Sequence, residues 1–153
     1  MIYTQLTKKA MRIAYEAHKN QADKSGVPYI YHPIHLAEQM QEEATVCVAL
    51  LHDVVEDTDI TIGDLRLEGF GEEIIEALKL MTHDENVPYM EYIRKIKDNP
   101  IAKAVKQADL AHNSDLSRLD IVDEKALKRV EKYKRAIEIL NGRLEINNDN
   151  SKN

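Results

Sequence analysis

The sequence predicts an all-α, single-domain protein, on three observations. Apolar volume comes mainly from Leu, Ile, Val, Ala and Met, with 5% aromatic residues and no Trp, a palette that favours packed helices over a sheet core. Segments of helical periodicity follow one another along the chain, each with a recognisable start or stop. The length of 153 residues fits one ordinary domain and leaves little room for a second. The domain is expected over residues 1–143, with a polar, disordered tail at 144–153.

The first helix is expected from Thr4 to Asn20, with Leu6, Ala10, Met11, Ile13, Ala14 and Ala17 on its inner side. A turn follows over Gln21 to Pro28, rich in turn formers. His32-Pro33 opens a second helix, because proline is tolerated in a first turn. The third, Ala44 to Asp57, is apolar on nearly all sides and therefore central. Thr61 and Asp64 can cap a short helix, and Gly69 and Gly71 separate it from the next, Glu72 to Met81. Further helices are expected at Pro88 to Lys97, Pro100 to His112 and Asp123 to Leu140, with Asn99 as an N-cap and Gly142 as a stop.

Composition excludes several classes. Hydrophobic residues are 43% and charged residues 31%, as in a soluble globular protein. A formal net charge of −6 argues against broad binding to nucleic acid or an acidic membrane. No window approaches the ~20 apolar residues that span a bilayer, and the first residues lack the apolar stretch of a signal peptide. The lone Cys47 cannot form an internal disulfide, which suits a reducing cytoplasm. It lies in the apolar run Ala44 to Leu51 and reads as a buried structural thiol.

Chemistry concentrates in Leu50-Leu51-His52-Asp53-Val54-Val55-Glu56-Asp57-Thr58. A buried helix avoids ionisable groups, since stripping water from an unpaired charge is costly. On one continuous helix, His52 and Glu56 stand one turn apart, as do Asp53 and Asp57. A bound cation is the simplest way to make that polar band tolerable. Two residues cannot complete a metal shell, so remote partners are needed: His32 beside Pro33, and Asp109 after the apolar run that ends at Ala108. Two imidazoles and two carboxylates suit one divalent transition ion, Mn²⁺ foremost, with Fe²⁺, Co²⁺, Ni²⁺ or Zn²⁺ compatible. A second doublet, His83-Asp84, reads as a cap or solvated turn. His18 and His35 are expected to line the cleft in structural roles, and His112 to cap its helix. Tyr29 and Tyr31 are read as packing residues with exposed hydroxyls, and Lys106 as solvated.

At these residues the chain resembles the HD-domain superfamily, and more narrowly the hydrolase domain of Rel/Spo proteins and the stand-alone small alarmone hydrolases. The likeness runs from Ala17-His18 to about Asn113. It rests on Lys24-Ser25-Gly26 with Pro28-Tyr29-Ile30, on His32-Pro33, on Ala49 to Thr58, on Phe70-Gly71 and on Lys106 to Asn113. The resemblance implies one helical bundle with a metal site in a central cleft, where a Mn²⁺-activated water removes the 3′-diphosphate of (p)ppGpp. It assigns metal binding to His32, His52, Asp53 and Asp109. Glu56 and Asp57 become the catalytic carboxylates that orient or deprotonate water, and Lys24 and Asn113 the substrate contacts.

Three departures bear on the substrate. Asp23-Lys24 stands where the family commonly has Arg-Lys. Leu110 and Asp115-Leu116 stand where it carries arginine and an Arg-Thr pair. Fewer cations and an added carboxylate disfavour a polyphosphate. The expectation is therefore a metal-dependent phosphohydrolase acting on a small nucleotide phosphate or diphosphate ester. Its alternatives are an HD-type nucleotidase acting on nucleoside monophosphates and a non-catalytic nucleotide-binding sensor.

Overall fold

The computed structural model describes residues 1–143, so the expected tail at 144–153 lies outside the described residues. The described residues form α1 Gln5–His18, α2 Tyr31–Glu38, α3 Glu43–Leu51, α4 Val54–Asp57, α5 Ile62–Leu67, α6 Glu72–Met81, α7 Tyr89–Lys97, α8 Pro100–Asn113 and α9 Glu124–Leu140, with a 3-10 turn at Leu116–Arg118. Among them there is no strand, only an isolated bridge between Ala22 and Pro28. None of these helices is long and apolar enough to cross a membrane.

Local chemistry sets the helix ends. Thr4 caps α1, its hydroxyl accepting from the Thr7 amide. Thr61 and Asp64 form the expected reciprocal capping box. Asn99 Oδ1 accepts from the Ala102 amide at 3.0 Å and leaves Pro100 at the first helical position, where its missing N–H costs nothing. Gly142 adopts φ +77° after α9, and the Arg143 amide reaches back to the Glu138 carbonyl at 2.9 Å.

The bundle is organised around α3, where Thr45 through Leu51 are all buried. It packs against α1, α2, α6 and α8, while α9 covers α7 and α8. Each fully buried leucine here, such as Leu50 or Leu51, stabilises the fold by about 1.5–3 kcal/mol through apolar burial. That burial fixes α3 and so positions the residues at its end. Cys47 is buried within it, as expected. On α1 the inner face is narrower than the pattern implied. Ala10 and Ala14 are fully buried, whereas Leu6, Met11, Ile13 and Ala17 are only partly so.

The expected continuous helix from Ala44 to Asp57 is instead two helices broken at His52-Asp53. The His52 imidazole explains the break. Its Nδ1 sits 2.7 Å from the Ala49 carbonyl, the group a continuing helix would offer to the Asp53 amide. Asp53 then sits at φ −95°, ψ −7°. The turn from Asp53 to Asp57 survives, because the Asp57 amide donates to the Asp53 carbonyl at 2.9 Å.

Candidate metal centre

Four of the side chains singled out in the sequence converge where α2, the α3–α4 break and α8 meet. His32, His52 and Asp109 are all buried, and one ligand atom from each lies within 4.8 Å of the others. Asp53 Oδ2 completes the group, 3.0 Å from His52 Nε2 and 3.9 Å from His32 Nε2. His32 Nε2 stands 2.9 Å from Asp109 Oδ1, and His52 Nε2 stands 3.6 Å from the same oxygen.

The decisive atom is His52 Nε2. Its ring partner Nδ1 donates to the Ala49 carbonyl, so the tautomer is fixed and Nε2 is left to face two carboxylates. It is buried and has no hydrogen-bond partner. Two acceptors pointed at a third are repulsive unless a proton or a cation stands between them. Burial alone would lower the His52 pKa. Asp53 and Asp109 outweigh it and hold that pKa well above the ordinary range. A divalent ion satisfies the same demand, and the donor set of two imidazoles and two carboxylates fits a transition ion.

The carboxylates are held by neighbours that sequence reasoning placed elsewhere. The Tyr29 hydroxyl, read as solvent-exposed, donates to Asp53 Oδ2. Its ring packs against His18 and His32. Burial works against the Asp53 charge, yet the neighbouring His52 and the Tyr29 hydrogen bond hold its pKa below the ordinary carboxylate range. Lys106, read as solvated, is nearly buried and pairs with Asp109 Oδ2 at 2.9 Å. Burial opposes charge on both partners, but each outweighs it for the other, raising the lysine and lowering the aspartate. Asn113 Nδ2 donates to Asp109 Oδ1 at 3.0 Å. His112, read as a helix cap, instead reaches His32, with the two Nδ1 atoms 2.7 Å apart. Lys106 and His112 each lie three residues from Asp109, one helical turn away on the same face. That spacing was the available signal.

Glu56 and Asp57 sit beyond the break on α4, at the solvent-facing rim. The His83 amide donates to Glu56 Oε1 at 2.7 Å, so the second doublet holds this carboxylate through its backbone. Asp84 behaves as expected, its Oδ1 accepting from the Asn86 amide at 2.9 Å in a local turn. The surrounding protein raises the pKa of both Glu56 and Asp57 by desolvation, and the Asp53 charge adds to it. Both are thereby better proton acceptors than a free carboxylate. His18 is buried with Nδ1 on Gln21 but with Nε2 left without a hydrogen-bond partner, so it is not the satisfied structural histidine that was expected; His35 packs on His112.

A cavity of about 350 Å³ opens beside this group, lined by Lys24, Tyr29, Asn113, Arg118, Arg129 and Tyr133 among others. The loop before α2 frames it. Asp23 Oδ1 accepts from the amides of Ser25 and Val27, and Gly26 supplies the positive φ of +81° that closes the turn. Ser25 Oγ donates to the Arg118 carbonyl at 3.0 Å, which ties this loop to the 3-10 turn.

Residues 10–121 match the HD domain family. The chain belongs to that family. This HD domain is 37% identical over 120 residues to the guanosine-3′,5′-bis(diphosphate) 3′-pyrophosphohydrolase MESH1 of Mus musculus, over 68% of this chain and 66% of that protein. It is 36% identical over 124 residues to the protein of that name from Homo sapiens, over 72% and 69% of the two chains. The match thus spans about two thirds of the length of these relatives. A solved structure described as a metazoan ortholog of SpoT that hydrolyzes ppGpp and plays a role in starvation responses shares the fold. Its TM-score is 0.72 at 23% identity, covering 92% of this chain and 87% of that one.

Proposed function

We propose that this HD domain is a metal-dependent hydrolase that removes the 3′-diphosphate of a guanosine nucleotide of the (p)ppGpp type. The observation that carries the metal reading is His52 Nε2, buried, unpartnered and facing Asp53 and Asp109. The ligands are His32, His52, Asp53 and Asp109, and the ion is a single divalent one, Mn²⁺ foremost. When bound, that ion supplies Lewis acidity toward water and charge neutralisation at the phosphoryl oxygens.

The chain's own residues do the rest. Tyr29 holds one oxygen of Asp53, while Lys106 and Asn113 hold the two oxygens of Asp109. Glu56, with Oε1 tied to the His83 amide, keeps Oε2 to take the proton from attacking water. Asp57, one turn from Asp53, is the second carboxylate at the rim and aids departure of the leaving group. Lys24 takes remaining phosphate charge, joined by Arg118 and Arg129 on the wall of the same cavity. Asn113 acts on Asp109 first, and its Oδ1 accepts from Arg118 Nη1 at 3.4 Å.

Those three cations bear on the departures in the sequence, although Asp23 lines the same cavity and stands 3.8 Å from the Arg118 guanidinium. Leu110 is 1% exposed and belongs to the core, so a cation lost there is not lost from the cavity. The Asp115 carboxylate lines the cavity, but Oδ1 is occupied by the Ser117 amide and hydroxyl.

The test is release of pyrophosphate from ppGpp by the purified protein with Mn²⁺, beside a panel of nucleoside 5′-monophosphates, with Asp53→Ala as control. Pyrophosphate from ppGpp, abolished in the variant, supports the proposal. Phosphate from monophosphates alone would move the enzyme to the nucleotidase class with its metal centre unchanged. Tight nucleotide binding without hydrolysis under any divalent ion would make it a sensor.

A further inference from the structure

His32 and His112 form a pair whose geometry goes beyond contact. Their Nδ1 atoms are 2.7 Å apart, the ring planes are parallel to within 6° and the centroids are 5.0 Å apart. The short N–N separation plus the distance from each centroid to its own Nδ1 accounts for the whole centroid spacing. The two rings therefore lie edge to edge in one plane, not face to face, with an in-line N–H···N hydrogen bond between them.

Such a bond holds one proton, and its position matters. His32 Nε2 is the nitrogen that faces Asp109 and Asp53, so ligation through that atom puts the ring proton on Nδ1. A proton there needs an acceptor, because a buried unpaired N–H is costly. Metal-ligating histidines usually give this proton to a carboxylate or a carbonyl. Here the acceptor within reach is the lone pair of another imidazole.

His112 is itself held for the task. The Arg118 guanidinium donates to the His112 carbonyl at 2.9 Å. The His35 ring packs on its ring at a centroid distance of 4.2 Å. The edge of His112 is thus presented to His32 from α8, one turn beyond Asp109.

We propose that His112 is a positioning residue for the metal centre: it accepts the Nδ1 proton of His32, fixing the tautomer and ring orientation that leave Nε2 to the ion. It acts through His32. The inference rests on the metal reading above.

The test compares His112→Phe, which keeps the ring and removes the acceptor, with His112→Gln, whose amide oxygen can accept. Mn²⁺ affinity is measured by calorimetry on the full chain. Loss of an outer partner of a ligating histidine costs about 10–100-fold in metal affinity, expected for the phenylalanine variant and largely recovered in the glutamine variant. A second readout uses the wild type loaded with diamagnetic Zn²⁺ and labelled with ¹⁵N-histidine. It should show a slowly exchanging His32 Nδ1 proton with scalar coupling across the N–H···N bond. Unchanged affinity in the phenylalanine variant, equal losses in both variants, or a His32 Nδ1 without its proton in the loaded wild type overturns the proposal. Should the phenylalanine variant not fold, the wild-type spectrum decides. Wild type that binds neither ion removes the metal reading and this inference with it, whereas normal wild-type binding with an indifferent His112 removes this inference alone.

Discussion

Lys106→Met tests how the acidic cleft is held together before an ion arrives. The ammonium lies 2.9 Å from Asp109 Oδ2, with the two side chains only 12% and 8% exposed. Breaking one partner out of a buried pair costs about 3–5 kcal/mol, because the other charge is left uncompensated. Asp109 retains bonds from Asn113 at 3.0 Å and a contact with His32 Nε2 at 2.9 Å, which places this case at the low end. Methionine keeps most of the apolar stem against Tyr92 but loses the cation over that ring, 5.3 Å from its centroid and worth about 0.5–1 kcal/mol. The expected loss in the metal-free protein is therefore about 3 kcal/mol.

For a chain of this size, about 2–4 °C per kcal/mol corresponds to a fall in Tm of roughly 6–12 °C. The assay is urea and thermal unfolding of wild type and variant, once in EDTA and once with Mn²⁺. A divalent ion supplies the positive charge that Lys106 had supplied, and removing the lysine also removes a like charge near that ion. The variant should thus lose less stability with Mn²⁺ present than in EDTA. A variant within about 0.5 kcal/mol of wild type in EDTA, the ordinary range of surface substitutions, would refute the view that this lysine balances Asp109.

Four further outcomes are expected. Glu56→Gln should retain Mn²⁺ binding while kcat falls by about 10²–10⁴-fold, the usual worth of a general base; normal turnover would remove Glu56 from the mechanism. The same variant should be more stable than wild type at neutral pH, because desolvation raises the folded-state pKa of Glu56. A group so shifted gives stability that is present below the unfolded pKa of about 4.3 and lost as pH rises through the folded value. The advantage should therefore vanish in acid, and a pH-independent difference would contradict the cause. Lys24→Ala should raise KM for ppGpp more than it lowers kcat, and a pure kcat effect would deny it a role in binding. Cys47, whose pKa burial pushes up to about 12, should react with Ellman's reagent only at the rate of unfolding; fast labelling of the native protein would contradict its burial.

What could be read from the sequence divides along a physical line. Helix positions, the Thr61–Asp64 capping box and the Asn99 cap were legible because they depend on residues within one turn of each other. The convergence of His52, Asp53 and Asp109 was legible because ionisable groups at the ends of apolar runs have few tolerable fates besides an ion or a partner, and His32 because two residues cannot complete a metal shell. The break at His52-Asp53 was not. Periodicity sees only that the polar residues keep helical spacing, and it cannot see an imidazole turning back onto the Ala49 carbonyl.

The misread residues share one property. Lys106, His112 and Tyr29 belong to types usually found with a solvated end, and each carries its polar tip into the cleft onto a proposed ligand. Their environment comes from other helices, so propensity and composition favour the surface for all three. Yet a cleft that holds two imidazoles and two carboxylates must satisfy the remaining oxygens and ring nitrogens too, since each left unpaired in a buried site costs about 1–3 kcal/mol. Counting those atoms calls for a donor to Asp53, donors to Asp109 and a partner for each ligating histidine's other nitrogen. The structure fills these places with Tyr29, Lys106, Asn113, His112 and the Ala49 carbonyl. The demand for such partners therefore follows from the ligand set alone, even where the fold is needed to say which residues meet it.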